Sequence, residues 1–291
     1  MSKSALGQKS RGLGRDTIRL RYAIQRAFDK TDKPVTVRQM FYLLTTRNEV
    51  DKSDAGYRKA QRQLLLMRRE GVIDYDWIAD NTRWRRKPQT FNGLEECLEE
   101  SRRFYRASVW RDLPVHVEVW CEKDALAGVL YRETGLYDVP LMVTRGYSSE
   151  TFAYEAAQEM VSGWKTPIVY YVGDLDPSGW NASVDLEQKL LNFSDGKVIF
   201  KRLAVTPEQV AEWNLPTRPS KKTDTRHKAF EQEFGKDFPS VELDAIPPDR
   251  LRKLVRNSIE SHLPDGHLEN IEIEEYEARR TLETVMEAIS R

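Results

Sequence analysis

"IVYYVGDLDPSGWNASVD", residues 168–185, places two aspartates one residue apart directly after a short apolar run. Read forward from Asp174, the stretch approaches a calcium-binding loop. Asp174, Asp176 and Ser178 fall at positions 1, 3 and 5, Gly179 at 6 and Asp185 at 12. Read backward, Ile168 to Val172 is β-branched and aromatic and too short for a helix, so the aspartates end a buried strand. A calcium loop of that kind needs a helix before position 1. It also has a glutamate at position 12, where this chain has Asp185, and Pro177 stands at position 4.

The neighbouring segments repeat the pattern. "LPVHVEVWCEKDALAGVLYRE" reads strand, turn, helix, with Glu122 where the strand ends. "VPLMVTRGYSSETFAYEAAQEMV" does so again, with Gly146 at the turn and Ser148 or Ser149 as the helix cap. The opening stretch is a third copy, and KVIFKRLAV supplies a further strand. Strands alternating with helices imply a doubly wound α/β fold around a parallel sheet, whose ligands bind beyond the C-terminal strand ends. Glu122, Asp174 and Asp176 all fall there. At a strand end, residues two apart point the same way, so Asp174 and Asp176 can face one cation together. With Glu122 they form an oxygen-only set suited to Mg²⁺ or Mn²⁺, and three such acids at matching strand ends outweigh a reading as ordinary turn residues.

Charge divides the chain in the same way. Residues 1–90 hold 21 Lys and Arg against 10 Asp and Glu, whereas the remainder holds 25 against 36. A basic module ahead of an acidic one points to polyanion binding joined to carboxylate chemistry. The two cysteines, Cys97 and Cys121, cannot make a zinc site alone and suggest a reducing compartment. No apolar run approaches the roughly 20 residues of a membrane span, and no secretory signal is visible, so a cytoplasmic, nucleoid-associated protein is expected.

In the basic module, DTIRLRYAIQRAFD (16–29) reads as a first helix, and Thr36 with Gln39 makes a capping box for a second. Val37, Met40, Phe41 and Leu44 share one face of that second helix; Tyr42 falls roughly opposite, beside Arg38, and is expected to be presented outward. A third helix, Asp54 to Arg69, stops before Gly71, buries Tyr57, Ala60, Leu64 and Met67, and displays Arg58, Arg62 and Arg69 as a ridge. VIDYDWI is expected to be a strand, followed by the basic tail NTRWRRKP with Arg83, Arg85 and Arg86. Three helices, a strand and a basic loop predict a winged-helix (helix-turn-helix) domain over residues 1–90, a connecting helix within 91–112, and the α/β domain with a helical extension over 113–291.

The order strand–Glu122, Gly146, Asp174-x-Asp176 resembles the Toprim fold of topoisomerases, primases and related nucleases. Behind a winged helix with R-x-x-x-Y (Arg38 to Tyr42), it resembles the A subunit of topoisomerase VI and the meiotic double-strand-break transesterases. The likeness is nearest to the compact stand-alone A-subunit-like proteins of phages and plasmids. "RLAVTPEQVAEWNLP" and "VELDAI" look like that family's downstream segments, and the likeness covers most of residues 16–260. The resemblance implies Mg²⁺-dependent cleavage of double-stranded DNA by a homodimer. Tyr42 would be the nucleophile, leaving a 5′-phosphotyrosyl link, with Arg38 in support and Glu122, Asp174 and Asp176 holding the metal. Lys123 joins Arg58, Arg62, Arg69, Arg83, Arg85 and Arg86 as expected DNA contacts. No ATPase motif is present, so any strand passage would draw on a separate ATPase subunit. Two other readings stay open: a hydrolytic Toprim nuclease that does not use Tyr42, and a catalytically inert DNA-binding protein.

Overall fold

The computed structural model describes residues 14–79 and 89–289. The chain divides after Ala79 into two compact units. The basic tail arginines Arg83, Arg85 and Arg86 lie outside the described residues.

The first unit is built from α1 (Arg15–Phe28), α2 (Val37–Thr45) and α3 (Asp54–Arg69). The capping box forms as read: the Gln39 amide donates to Thr36 Oγ1 at 3.0 Å and the Thr36 amide to Gln39 Oε1 at 2.9 Å. Helix α3 has the expected bounds and is followed by Gly71 at φ +70°, in the left-handed region where glycine carries no Cβ penalty. Its buried side is Ala60, Gln63, Leu64 and Met67; Tyr57 is only half-buried. The expected strand at VIDYDWI is not one. Tyr75–Trp77 is a 3₁₀ turn, and a single parallel bridge ties Ile78 to Val35. Val72 is exposed while Ile73 and Ile78 are buried, so the apolar residues pin a loop to the helices without a paired edge to extend.

The second unit opens with α4 (Leu94–Phe104), which lies within the 91–112 expected for the connecting helix and ends at Tyr105 in an extended conformation. Its centre is a four-stranded parallel sheet of β1 (Val115–Cys121), β2 (Leu141–Val143), β3 (Thr166–Val172) and β4 (Ile199–Ala204), in the order β2-β1-β3-β4. Between them run α5 (Ala127–Thr134), α6 (Glu150–Val161) and α7 (Pro177–Phe193). Trp120, Val169 and Tyr171 on one sheet face pack with Ala153, Ala157 and Met160 of α6 and Leu186 and Leu190 of α7. Strand alternation sends Tyr170 the other way, where its hydroxyl meets His262 Nε2 at 2.8 Å, just past α10 (Pro248–Glu260). Helix α10 packs on α5, so helices cover both faces, and β3 is buried from Pro167 to Val172. The short helices α8 (Pro207–Glu212) and α9 (His227–Phe234) follow β4, and α11 (His267–Ile289) closes the described chain against α4. Polar ties hold α11 in place: Arg111 pairs with Glu274, and the Ala107 amide donates to Glu275. Among the described residues, no helix is long and apolar enough to cross a membrane.

Candidate active site

The strand order reverses between β1 and β3, since β1 leads outward to β2 and β3 leads outward to β4. The crevice beyond their C-terminal ends is therefore the switch point at which parallel sheets bind ligands. Glu122 follows β1 directly, and its amide donates to Val172 of β3 at 3.0 Å. Asp174 follows β3 after a single glycine. Asp176 is the N-cap of α7, its Oδ1 accepting from the Gly179 amide at 2.8 Å, with Pro177 at the first helical position. The three carboxylates read from the sequence are thus brought to one place by two adjacent strands and one helix start.

Two glycines make that convergence possible. Glu122 Oε2 accepts the Asp174 amide at 2.8 Å. A Cβ on Gly173 would lie 2.8 Å from the same oxygen, and one on Gly179 3.0 Å from it. The DxDPxG spacing therefore carries a steric reason: backbone must come this close for the carboxylate to fit. Burial, and then the charge of Asp174, push the Glu122 carboxyl up to about 7. Asp174 is raised as well, burial being the main cause, against the pull of Lys123 and the Leu243 amide.

These shifts set a pH dependence. Glu122 binds a proton more tightly folded than unfolded, where its ordinary value is 4.5. Its contribution to stability is therefore full below about 4.5 and is lost as pH rises through about 7. Thermal melts of Glu122→Gln are expected to be flatter than wild type across that window; identical slopes would contradict the assignment.

Residues beyond the three complete the cluster. Leu175 and Val241 exchange backbone hydrogen bonds at 2.9 and 2.8 Å, which lays the VELDAI segment beside the aspartate loop. That brings in Glu242 and Asp244, both almost fully buried. Lys123 sits among them, its Nζ 2.8 Å from Asp174 Oδ1 and 2.7 Å from Asp244 Oδ2. The ammonium of Lys123, a residue expected to contact DNA, is engaged by the carboxylates in this structure. Arg218 spans Glu242 Oε1 at 2.6 Å and Asp176 Oδ2 at 3.4 Å. Arg202, from β4, reaches beneath the loop and donates to the Gly173 and Asp174 carbonyls, to Val205 O at 3.1 Å and to Ser183 Oγ at 2.7 Å. With its guanidinium over the rings of Tyr171 and Trp180, it pins the backbone that carries Asp174.

At the rim, the loop after β2 turns at Gly146 (φ +89°) and presents Tyr147. The Tyr147 hydroxyl donates to Asn181 Oδ1 at 2.5 Å and receives Arg226 Nη1 at 3.2 Å. Arg226 belongs to the basic island RPSKKTDTRHK, so that island has one arginine in the carboxylate cluster and another at its edge.

An oxygen-rich donor set, with the Glu122 and Asp174 carboxyls raised chiefly by burial, suits a hard divalent cation, which would offset the cost of their buried charge. Among the described residues, no three acidic, histidine or cysteine side chains are yet arranged to hold a metal. Lys123 and Arg218 pair with four of these acids. Glu122, Asp174 and Asp176 are the residues that would hold such an ion.

In the first unit, Arg58, Arg62 and Arg69 are exposed along α3 as expected. Tyr42 is not presented outward. It is 5% exposed, one ring away from Phe41 at 5.5 Å and beneath Lys52 Nζ at 5.7 Å. Helix α2 packs on both α1 and α3, so the side that a helical wheel marks as polar is covered too. Arg38 lies 4.9 Å over the Tyr57 ring.

No protein-family model matches the chain, and no curated protein matches it.

Proposed function

We propose that the protein is a divalent-metal-dependent DNA-cleaving enzyme of the type IIB topoisomerase A-subunit kind, a winged helix joined to a Toprim domain. The observation that carries this is the meeting of Glu122, Asp174 and Asp176 at the switch point of the parallel sheet. Held by these three, Mg²⁺ would stabilise charge on a phosphoryl oxygen and on the departing 3′ oxygen. The nucleophile in this reading is the Tyr42 phenol. Its oxygen bonds to phosphorus, the P–O3′ bond breaks, and the phenol's proton is given up as the 3′ oxygen gains one. The ends are then a 5′-phosphotyrosyl and a 3′-hydroxyl. A homodimer makes one cut on each strand, and a separate ATPase subunit would supply the energy of any strand passage.

Burial of Tyr42 favours a second reading, in which water is the nucleophile at the same carboxylates and the products carry free ends. Supercoiled plasmid incubated with Mg²⁺, stopped with detergent and run with and without protease separates the two. Cut DNA that enters the gel only after protease treatment supports the tyrosine. Free ends support hydrolysis, and intact plasmid under both Mg²⁺ and Mn²⁺ contradicts both.

The ridge on α3 makes its own prediction. Arginines spaced along a helix contact phosphates and release counterions, at about 0.9 in the log–log salt slope for each contact. The triple replacement of Arg58, Arg62 and Arg69 by alanine is expected to weaken duplex binding and lower that slope by about 2 to 3. An unchanged slope in a fluorescence-anisotropy titration would move the DNA interface elsewhere.

A further inference from the structure

Lys123 presents a chemical conflict. Asp174, one of the three acids proposed to hold a divalent cation, already holds an ammonium, with Nζ 2.8 Å from Asp174 Oδ1, 2.7 Å from Asp244 Oδ2 and 3.8 Å from Glu242 Oε2. Both charges cannot share Asp174 Oδ1, which also accepts the Leu243 amide at 2.7 Å. A divalent cation brought beside an ammonium inside the fold is repelled by it.

We infer that Lys123 is a built-in counter-cation that holds Asp174 and Asp244 together in the metal-free protein and gives up Asp174 when a divalent cation binds. This rests on the proposed reading of Asp174 as a metal ligand.

Three observations favour exchange over a permanent ion pair. Five carboxylates gather here, and of the basic groups among them Arg202 spends its donors on backbone carbonyls and Ser183. Lys123 and Arg218 each pair directly with the acids. Arg218 forks across two of them, Glu242 and Asp176, and is fixed by the antiparallel bridge of its own backbone to Ser240. Lys123 is a point charge on a flexible four-carbon stem, better suited to leave. The Lys123 side chain is 22% exposed where that of Asp244 is 2%, so it is the more accessible member of the pair. Once released, it stands beside Glu122 as a free cation for a bound phosphate.

The test is Mn²⁺ binding without DNA, followed by calorimetry and by the electron paramagnetic resonance of the free ion. Lys123→Met is expected to bind Mn²⁺ about tenfold tighter than wild type, ~1.4 kcal/mol, and Asp174→Asn to bind it far more weakly. In the wild-type protein, acetylation of Lys123 read by mass spectrometry is expected to rise several-fold on saturation with Mn²⁺, with the exposed Lys221 unchanged as the internal control. If Lys123→Met does not fold, the labelling result decides alone. Equal or weaker Mn²⁺ binding by folded Lys123→Met would overturn the inference while leaving the metal site standing. Labelling of Lys123 that stays level or falls with Mn²⁺ would do the same. A wild-type protein that binds no Mn²⁺ would overturn the metal site itself, and the inference with it.

Discussion

Asp174→Asn is expected to abolish Mg²⁺-dependent DNA cleavage, lowering the rate by about a thousandfold or more. That corresponds to roughly 4 kcal/mol of charge stabilisation at the reacting phosphate. The substitution isolates charge from shape. Asparagine has the outline of aspartate, and its carbonyl oxygen can still accept the Leu243 amide that Asp174 Oδ1 accepts now. Lys123 keeps Asp244 as a partner at 2.7 Å. Because burial already raises the Asp174 carboxyl, a neutral group at this position relieves desolvation and repulsion from Asp176. The melting temperature should therefore stay near that of wild type, so lost cleavage cannot be blamed on lost fold. Cleavage that survives in Asp174→Asn would remove the carboxylate cluster from the chemistry.

Tyr42→Phe is the second large effect, and it separates the two nucleophiles. It is expected to eliminate the covalent protein–DNA product entirely, because no other atom of residue 42 can bond to phosphorus. The ring is retained, so the packing against Phe41 and beneath Lys52 is retained with it. Tyr42 is 5% exposed, so attack requires its face of α2 to open toward DNA. A free phenol, with a pKa of about 10, also needs a base or a positive charge to react at neutral pH. Lys52 is the cation over its ring. Cleavage at the wild-type rate by Tyr42→Phe, with free 5′ ends, would assign the reaction to water.

The α/β half was legible because its signals are local. Strand β3 is an apolar run ending in a turn, and Ser149 and Asp176 cap the helices that follow β2 and β3. Glu122, Asp174 and Asp176 could be placed together because all three are tied to strand ends, whose geometry follows from topology. Glu242 and Asp244 lie in VELDAI, where nothing in the local sequence ties them to the strand ends. They reach the site through the Leu175–Val241 bridge, a long-range pairing that no local pattern announces. Arg202 was hidden within a strand and Arg218 within a basic island, where solvation is the ordinary explanation of charge.

The first unit shows the opposite failure. A helical wheel finds the most apolar face of α2 but cannot reveal that a helix between two others is buried on a second side. Gln39 and Tyr42 are covered for that reason. At VIDYDWI, an alternating pattern without a partner strand gave a 3₁₀ turn and one bridge.

The most direct measurement is the identity of the residue joined to DNA. Cleavage reactions with Mg²⁺ would be denatured, digested with nuclease and trypsin, and read by mass spectrometry. The tryptic peptide Gln39–Arg47, QMFYLLTTR, holds a single tyrosine. The expected result is a nucleotide adduct on that peptide, present with wild type and absent with Asp174→Asn. An adduct on a different tyrosine, or cut DNA with no adduct on any peptide, would contradict Tyr42 as the nucleophile.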